Sequence, residues 1–401
     1  MRIASRLLAL VCLLPLAALA QEKVVKIGVL NDQSGLYTDL GGPGSVIAAK
    51  MAAEEFGNKV AGMPIEIVTA DHQNKPDIGS SIATKWIDVD KVDAILDVPN
   101  SGVSLAIAKI VADKNKVFID SGAATSDLTG KACTPNTVHW TYDTWALANG
   151  TGKEVVKAGG DTWFFLTADY AFGKALERDT TAVVQANGGK VLGSVLHPLN
   201  TPDFSSFLLQ AQASKAKIIG LANAGGDTIN SIKSASEFGI VQGGQKLAGL
   251  LVFISDVHAL GLKTAQGLQL TTAFYWDHDD KTRAWSKKFA ARHGGKMPTM
   301  VQAGVYAGVL HYLKAVQALK SDEDGKAVVD KMKAIPTDDP LFGKGSVRAD
   351  GRTIHPMYLY EVKKPAESKG PWDYYKLIRE IPADQAFRPL SQSDCPLITK
   401  K

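Results

Sequence analysis

The chain has 401 residues, with 45 Lys and Arg against 41 Asp and Glu and a formal net charge of +4. That length is too great for one hydrophobic core and predicts two lobes. So even a charge balance excludes a nucleic-acid surface, which needs clustered Lys and Arg.

In chain order, Met1–Ala20 is a secretory targeting segment. Arg2 and Arg6 open it, Leu7–Leu19 is apolar apart from Cys12 and Pro15, and Ala18-Leu19-Ala20 supplies the small residues before a cut after Ala20. The apolar run is shorter than the roughly 20 residues of a membrane span, and Cys12 lacks the context of a lipid-attachment site. Loss of Arg2 and Arg6 leaves 43 basic against 41 acidic residues in a soluble, exported protein. Export also leaves two cysteines, Cys133 and Cys395, in a compartment that permits disulfides, and two cysteines have one pairing. The alternative is two separate buried thiols. A bond would close a loop of 262 positions and contribute at most about 5 kcal/mol in the loop-entropy picture.

Val24–Leu30 is an apolar, β-branched run of the kind buried on both faces of a parallel sheet. It ends in the polar turn Asn31-Asp32-Gln33-Ser34-Gly35, and Gly41–Gly44 leads into a helix over Ser45–Phe56. Strand, loop and helix open an α/β unit, whose ligands collect at the carboxyl ends of the strands. The loop offers Ser34, backbone N–H groups and Tyr37, and it carries no phosphate-gripping glycine motif. Further strands follow at Ile65–Ala70, Ala94–Val98 and Val117–Asp120. Between them lie a helix from Asp77 and another over Ser104–Asn115. A second unit repeats the pattern from about Asp143. It has a helix over Ala146–Ala158 and strands at Thr162–Thr167, Lys190–Leu196, Ile218–Ala222 and Leu250–Ile254. Helices over Lys281–His293, Gln302–Leu319 and Val328–Ala334 precede a terminal hairpin of Ser346–Asp350 with Met357–Val362. No low-complexity linker divides the units, which suits lobes joined by several crossings.

The runs KIGVLNDQSG, VPNSGVSLAIA, DSGAATSDLTG, TADYAFG and YAGVLHYLKAV, in this order and spacing, resemble the type I periplasmic binding proteins of ABC importers. The branch is the one that binds branched-chain amino acids and aromatic acids. The resemblance implies an α/β fold of two Rossmann-like lobes with parallel-rich central sheets, joined by three hinge crossings. A first lobe of residues 21–142 and 277–342 and a second of 143–276 and 343–382 follow, with 383–401 a tail tied to the first lobe. It implies a periplasmic monomer that holds a small-molecule carboxylate between the lobes and delivers it to an inner-membrane permease, with no cofactor and no nucleic acid. Carried over position by position, Tyr37 and Leu40 line the cleft. Asn100 and Ser101 bind the ligand carboxylate, Ala123, Ala124 and Thr125 add donors, and Tyr170 closes from the second lobe. Asn223, Ala224, Ser255 and Asp256 are further second-lobe contacts.

One departure concerns ligand class. Amino-acid binders of this type carry Gly-x-Glu near Ser255 to hold the α-ammonium, and here the text is Phe253-Ile254-Ser255-Asp256. Asp256 could replace that carboxylate or cap a helix starting at Val257. The missing Gly-x-Glu, with the supply of aromatics at Tyr170, Tyr275, Trp276 and Tyr306, favours an aromatic acid over a branched-chain amino acid. Trp140, Tyr142 and Trp145 crowd the first crossing and read as hinge packing, and Phe172 as ordinary packing. Ser101 and Thr125 also suit helix N-caps, where spare N–H groups bind anions. The eight histidines are scattered without metal-site spacing. A sensor docking on a membrane receptor is the rival binding function. An exported hydrolase is a weaker rival, since G-x-S-x-G and cofactor fingerprints are missing.

Overall fold

The computed structural model describes residues 23–399, so the targeting segment expected at Met1–Ala20 lies outside the described residues. The first lobe is built on the strands β1 (Val25–Asn31), β2 (Lys59–Val60), β3 (Met63–Asp71), β4 (Ala94–Asp97), β5 (Val117–Asp120) and β6 (Thr137–His139). They form one sheet of order β2-β3-β1-β4-β5-β6, parallel except for β2. Alternate residues of β1 point into separate cores. Val25, Ile27 and Val29 pack beneath the helices Gly42–Glu55 and Met300–Leu319. Leu30 faces Trp86 and Ile107, on the helices Pro76–Asp88 and Ser101–Asp113. A strand covered on both faces favours apolar residues at both parities, which is why β1 reads as a mostly apolar run, broken only by Lys26 and the terminal Asn31.

The second lobe carries β7 (Thr162–Ala168), β8 (Lys190–His197), β9 (Ile218–Ala222) and β10 (Lys246–Gly249), all parallel, in the order β10-β9-β7-β8. In both sheets the chain switches sides next to the first strand, between β1 and β4 and between β7 and β9. Crevices open above the carboxyl ends of strands at such points. β11 (Gln269–Thr272) begins a separate antiparallel sheet. The short strands β12 (Thr337–Asp339), β13 (Gly343–Val347) and β14 (Thr353–Ile354) form a small sheet of their own. Finally β15 (Met357–Val362) and β16 (Tyr375–Ile381) complete the sheet begun by β11, in the order β11-β15-β16.

Several expectations are corrected here. The hairpin of Ser346–Asp350 with Met357–Val362 does not form, because β13 pairs with β12 and β14 while β15 pairs with β11 and β16. β13 therefore packs beside the helix Gly325–Ala334. Leu250–Ile254 is no strand. The sheet uses Lys246–Gly249, and Ile254 already begins the helix Ile254–Leu260. The apolar run between them is buried as a loop, which is why burial alone mimicked a strand. Helix Ser101–Asp113 starts three residues early because Asn100 Oδ1 accepts the N–H groups of Gly102 and Val103 at 2.9 and 3.2 Å. The helix expected over Ala146–Ala158 starts at Thr144 and contains a π-turn over Ala148–Gly152. There Gly150 lets it press on β11, where a Cβ would lie 2.2 Å from Thr271 Oγ1.

The disulfide pairs Cys133 with Cys395 as the cysteine count predicts, with Cα atoms 5.6 Å apart.

At the middle of β1, a Cβ on Gly28 would lie 2.4 Å from Trp86 Cζ3. Gly28→Ala should therefore destabilise the fold by about 1–3 kcal/mol through overpacking. The readout is a lower urea midpoint at unchanged m; a wild-type midpoint would contradict the packing described.

Candidate functional site

The two switch points face each other across the lobes and line a narrow cavity of about 10 Å³, room for roughly one water. Tyr37, Leu40, Pro99, Gly122, Ala124 and Tyr142 line it from the first lobe and its crossing. Tyr170, Phe172, Ala224, Leu251 and Phe253 line it from the second.

The loop after β1 is shaped by Asp32. Its carboxylate accepts Gly35 N and Tyr37 N, both at 2.8 Å, and Asn74 Nδ2 at 2.5 Å. That carboxylate turns the chain so that the Tyr37 hydroxyl meets the hydroxyl of Tyr170 from the opposite lobe. Burial pushes both phenol pKa values up, so both remain neutral hydrogen-bonding groups. The same lobes also touch where Gly226 N donates to Leu36 O at 3.5 Å. After β4, Asp97 and Val98 both hold positive φ, +78° and +53°. Two consecutive left-handed residues, one of them β-branched, are strained backbone, and they turn Pro99 into the cavity wall. Beneath the floor, Asp97 Oδ2 accepts Asn31 Nδ2 at 2.9 Å, and burial raises the Asp97 pKa to about 6. Asp120 is bound by Gly122 N at 2.9 Å, Ala123 N at 2.8 Å and Ser104 Oγ, and burial holds its pKa well above the usual carboxylate range.

Of the residues expected at the site, Tyr37, Leu40, Ala124, Tyr170 and Ala224 come together on the cavity wall. The others lie behind or outside it. Asn100 caps its helix, and Ser101 Oγ accepts Thr125 N at 3.3 Å. Thr125 Oγ1 accepts Asp127 N at 3.3 Å and so caps the short turn Ser126–Thr129. Ala123 O faces His139 Nε2 at 2.8 Å. Asn223 is held by His197 Nε2 at 3.3 Å and Thr228 Oγ1 at 2.7 Å. Ser255 and Asp256 line a wider outer chamber of about 460 Å³, with Ser34, Leu40, Asn200 and Asn230.

Asp256 Oδ2 accepts Phe253 N at 2.9 Å, so its first use is to tie the start of the helix Ile254–Leu260. That is the capping role, although the helix begins three residues before Val257. The aromatic supply also differs from expectation. Tyr275 packs among Tyr360 and Tyr375, Trp276 Nε1 donates to Trp372 O at 2.8 Å, and Tyr306 bonds Glu55. None of the three lines the cavity. Tyr142, Phe172, Leu251 and Phe253 line it instead. Tyr142 serves both as packing at the crossing and as wall, with its hydroxyl on Gly122 O at 2.6 Å. Phe172, two residues after Tyr170 at the same strand end, carried a positional signal. Leu251 and Phe253 carried none, because they read as a strand.

A periplasmic binding protein family profile matches residues 24–370. Among solved structures, a periplasmic binding protein from Burkholderia mallei is 55% identical, covers 94% of this chain and 99% of that one, and superposes with a TM-score of 0.92. A branched chain amino acid ABC transporter periplasmic ligand-binding protein from Burkholderia xenovorans LB400 is 42% identical, over 93% of this chain and 99% of that one, with a TM-score of 0.82. The Leu/Ile/Val-binding protein homolog 6 of Brucella melitensis is 26% identical over 360 residues, 87% of this chain and 90% of the relative.

Asp256 generates a pH prediction. Burial raises its pKa from 3.8 to about 7. Between those values the folded state holds a proton that the unfolded chain has released, so its contribution to stability falls as pH rises from 4 to 7. Asp256→Asn keeps an acceptor for Phe253 N and removes the titration. Relative to wild type the variant should gain stability across that window, by on the order of 1 kcal/mol or more at pH 7. Urea melts at pH 4, 5.5 and 7 measure it, and a constant difference at all three contradicts the assignment.

Proposed function

We propose, from the premise that this chain belongs to the periplasmic binding protein family, that it captures a small organic carboxylate between its lobes and passes it to an ABC permease of the inner membrane. The family match over residues 24–370 makes it a solute-binding protein and not an enzyme. The narrower reading rests on one observation: among the described residues, no charged side chain lines the inner cavity. Aromatic and aliphatic walls suit the body of an apolar ligand, and the neutral hydroxyls of Tyr37 and Tyr170 can donate to a carboxylate when they part from each other. Contact is assigned to Tyr37, Leu40, Ala124, Tyr170 and Ala224, joined by Tyr142, Phe172, Leu251 and Phe253.

An aromatic acid is placed ahead of a branched-chain amino acid. An α-ammonium buried without a carboxylate partner is costly, and Asp256, the carboxylate expected to hold it, lines the outer chamber, not the inner wall, and accepts Phe253 N. The second reading, a branched-chain amino acid, is favoured by the names of the Burkholderia xenovorans and Brucella melitensis relatives. On either reading the protein is a monomer that leaves the cell interior with its targeting segment cut after Ala20.

A thermal-shift screen of benzoate, 4-hydroxybenzoate, leucine and valine separates the two. A ligand present at about a hundred times its dissociation constant adds about 2.7 kcal/mol. Stabilisation by the benzoates carries the first reading, and stabilisation by leucine or valine alone carries the second. Small-angle scattering with the stabilising ligand should show compaction as the lobes close on it; an unchanged profile at saturation contradicts capture between lobes.

A further inference from the structure

The chain passes between lobes near Trp140–Asp143, Ala273–Asp277 and His355-Pro356, and the C-terminal tail makes another passage. It leaves β16 in the second lobe at Ile381. Phe387 then lies against the His355 ring, with centroids 5.2 Å apart, and 4.5 Å from the guanidinium carbon of Arg352. The tail ends covalently on the first lobe through Cys395 and Cys133.

Between those points Arg388 enters an ion cluster that joins the lobes. Asp179 belongs to the second-lobe helix Ala171–Ala186 and is 4% exposed. Its carboxylate accepts Ser126 Oγ of the first lobe at 2.7 Å, Thr144 Oγ1 at 2.6 Å, Arg178 Nε at 2.9 Å and Arg388 Nη2 at 3.4 Å. Arg178 also donates to Asp127 Oδ1 at 2.9 Å and Ser126 Oγ at 2.8 Å, both in the first lobe. Asn149 Nδ2 of the second lobe donates to Gln385 O at 2.9 Å, and Arg348 Nη1 donates to Arg388 O at 2.8 Å.

We propose that the tail is a fourth, disulfide-closed crossing that restrains lobe opening, with Arg388 coupling it to Asp179. Moving the helix Ala171–Ala186 away from Ser126–Thr129 strips partners from a desolvated carboxylate, and such a loss costs more than the same bonds contribute when made. The restraint does not come from chain length. The seven residues from Pro389 to Cys395 can span about 25 Å when extended, while Arg388 Nη1 lies 3.7 Å from Asp394 Oδ1 near the end of that stretch. It comes from the docking contacts, among them the buried Ser393 and Cys395, which the disulfide keeps in place. This goes beyond the expectation of a tail tied to the first lobe alone.

The test uses the ligand-free exported chain, so its outcome is separate from the choice of ligand. Hydrogen exchange and small-angle scattering are measured for wild type, Arg388→Ala, Arg388→Lys and the double variant Cys133→Ser with Cys395→Ser. Arg388→Ala and the double serine variant should each exchange about tenfold faster in both 126–129 and 171–180, the effect of losing one charge-assisted bond. Their radius of gyration should rise, and Arg388→Lys should restore most of both values. Faster exchange confined to 383–399, with the other two segments and the radius unchanged, overturns the proposal. Arg388→Ala leaves the disulfide intact, so a folding failure of the serine variant does not remove the test.

Discussion

Burying a phenol hydroxyl in an apolar cavity is costly unless it finds a partner, and that cost shapes the contact between the two lobes. Tyr37 and Tyr170 come from opposite lobes and supply each other's hydrogen bond. Everything that aims them is arranged upstream. Asp32 turns the loop that carries Tyr37. Tyr170 stands at the end of β7, where it begins the helix Ala171–Ala186. On the proposed reading, a ligand with oxygen acceptors would replace each tyrosine's partner by its own atoms, exchanging one satisfied arrangement for another.

The hinge follows a similar rule with charges. Arg352 is fully buried at the junction of β6 and β14. Its guanidinium donates to Tyr142 O at 2.9 Å, lies 3.6 Å from Asp143 Oδ2 and packs on the Phe387 ring. Burial lowers its pKa to about 10, so it remains protonated at neutral pH. His355 Nε2 meets Trp140 O at 3.1 Å, and burial brings its pKa down to about 4, so this histidine stays neutral. A cation and a neutral ring thus tie the first crossing to the third, and neither changes charge over the ordinary periplasmic range. Surface ion pairs such as Lys109 with Asp113 are weak by comparison, because water screens both partners.

The cavity is apolar because of where the chain reverses its strand order. The loops that end β1, β4, β7 and β9 meet there, and short residues such as Gly122 and Ala124 leave the aromatic rings room to approach. A Cβ on Gly122 would lie 2.7 Å from Asp97 Oδ1 and 2.8 Å from Pro99 Cα. The floor therefore admits no side chain, and its contact surface is backbone.

Local sequence was enough to place β1, β5, β7 and β9 and the helix Met300–Leu319, because burial on two faces or along one long stripe leaves an apolar pattern that neighbouring residues do not disturb. It was enough for the disulfide as well, since only two cysteines follow the targeting segment. Tyr37 and Tyr170 were legible as loop residues at strand ends in a recognisable order. Tertiary structure alone decided which side chains of those loops face the cavity. Asn100, Ser101 and Thr125 have the polar groups of ligand contacts, yet the backbone N–H groups at hand claim those groups first. Leu251 and Phe253 look like strand residues, yet β10 ends at Gly249 and releases them into the wall. Ser346 and Met357 lie close in sequence, yet they join different sheets, because strand pairing is settled by long-range partners that no local window contains.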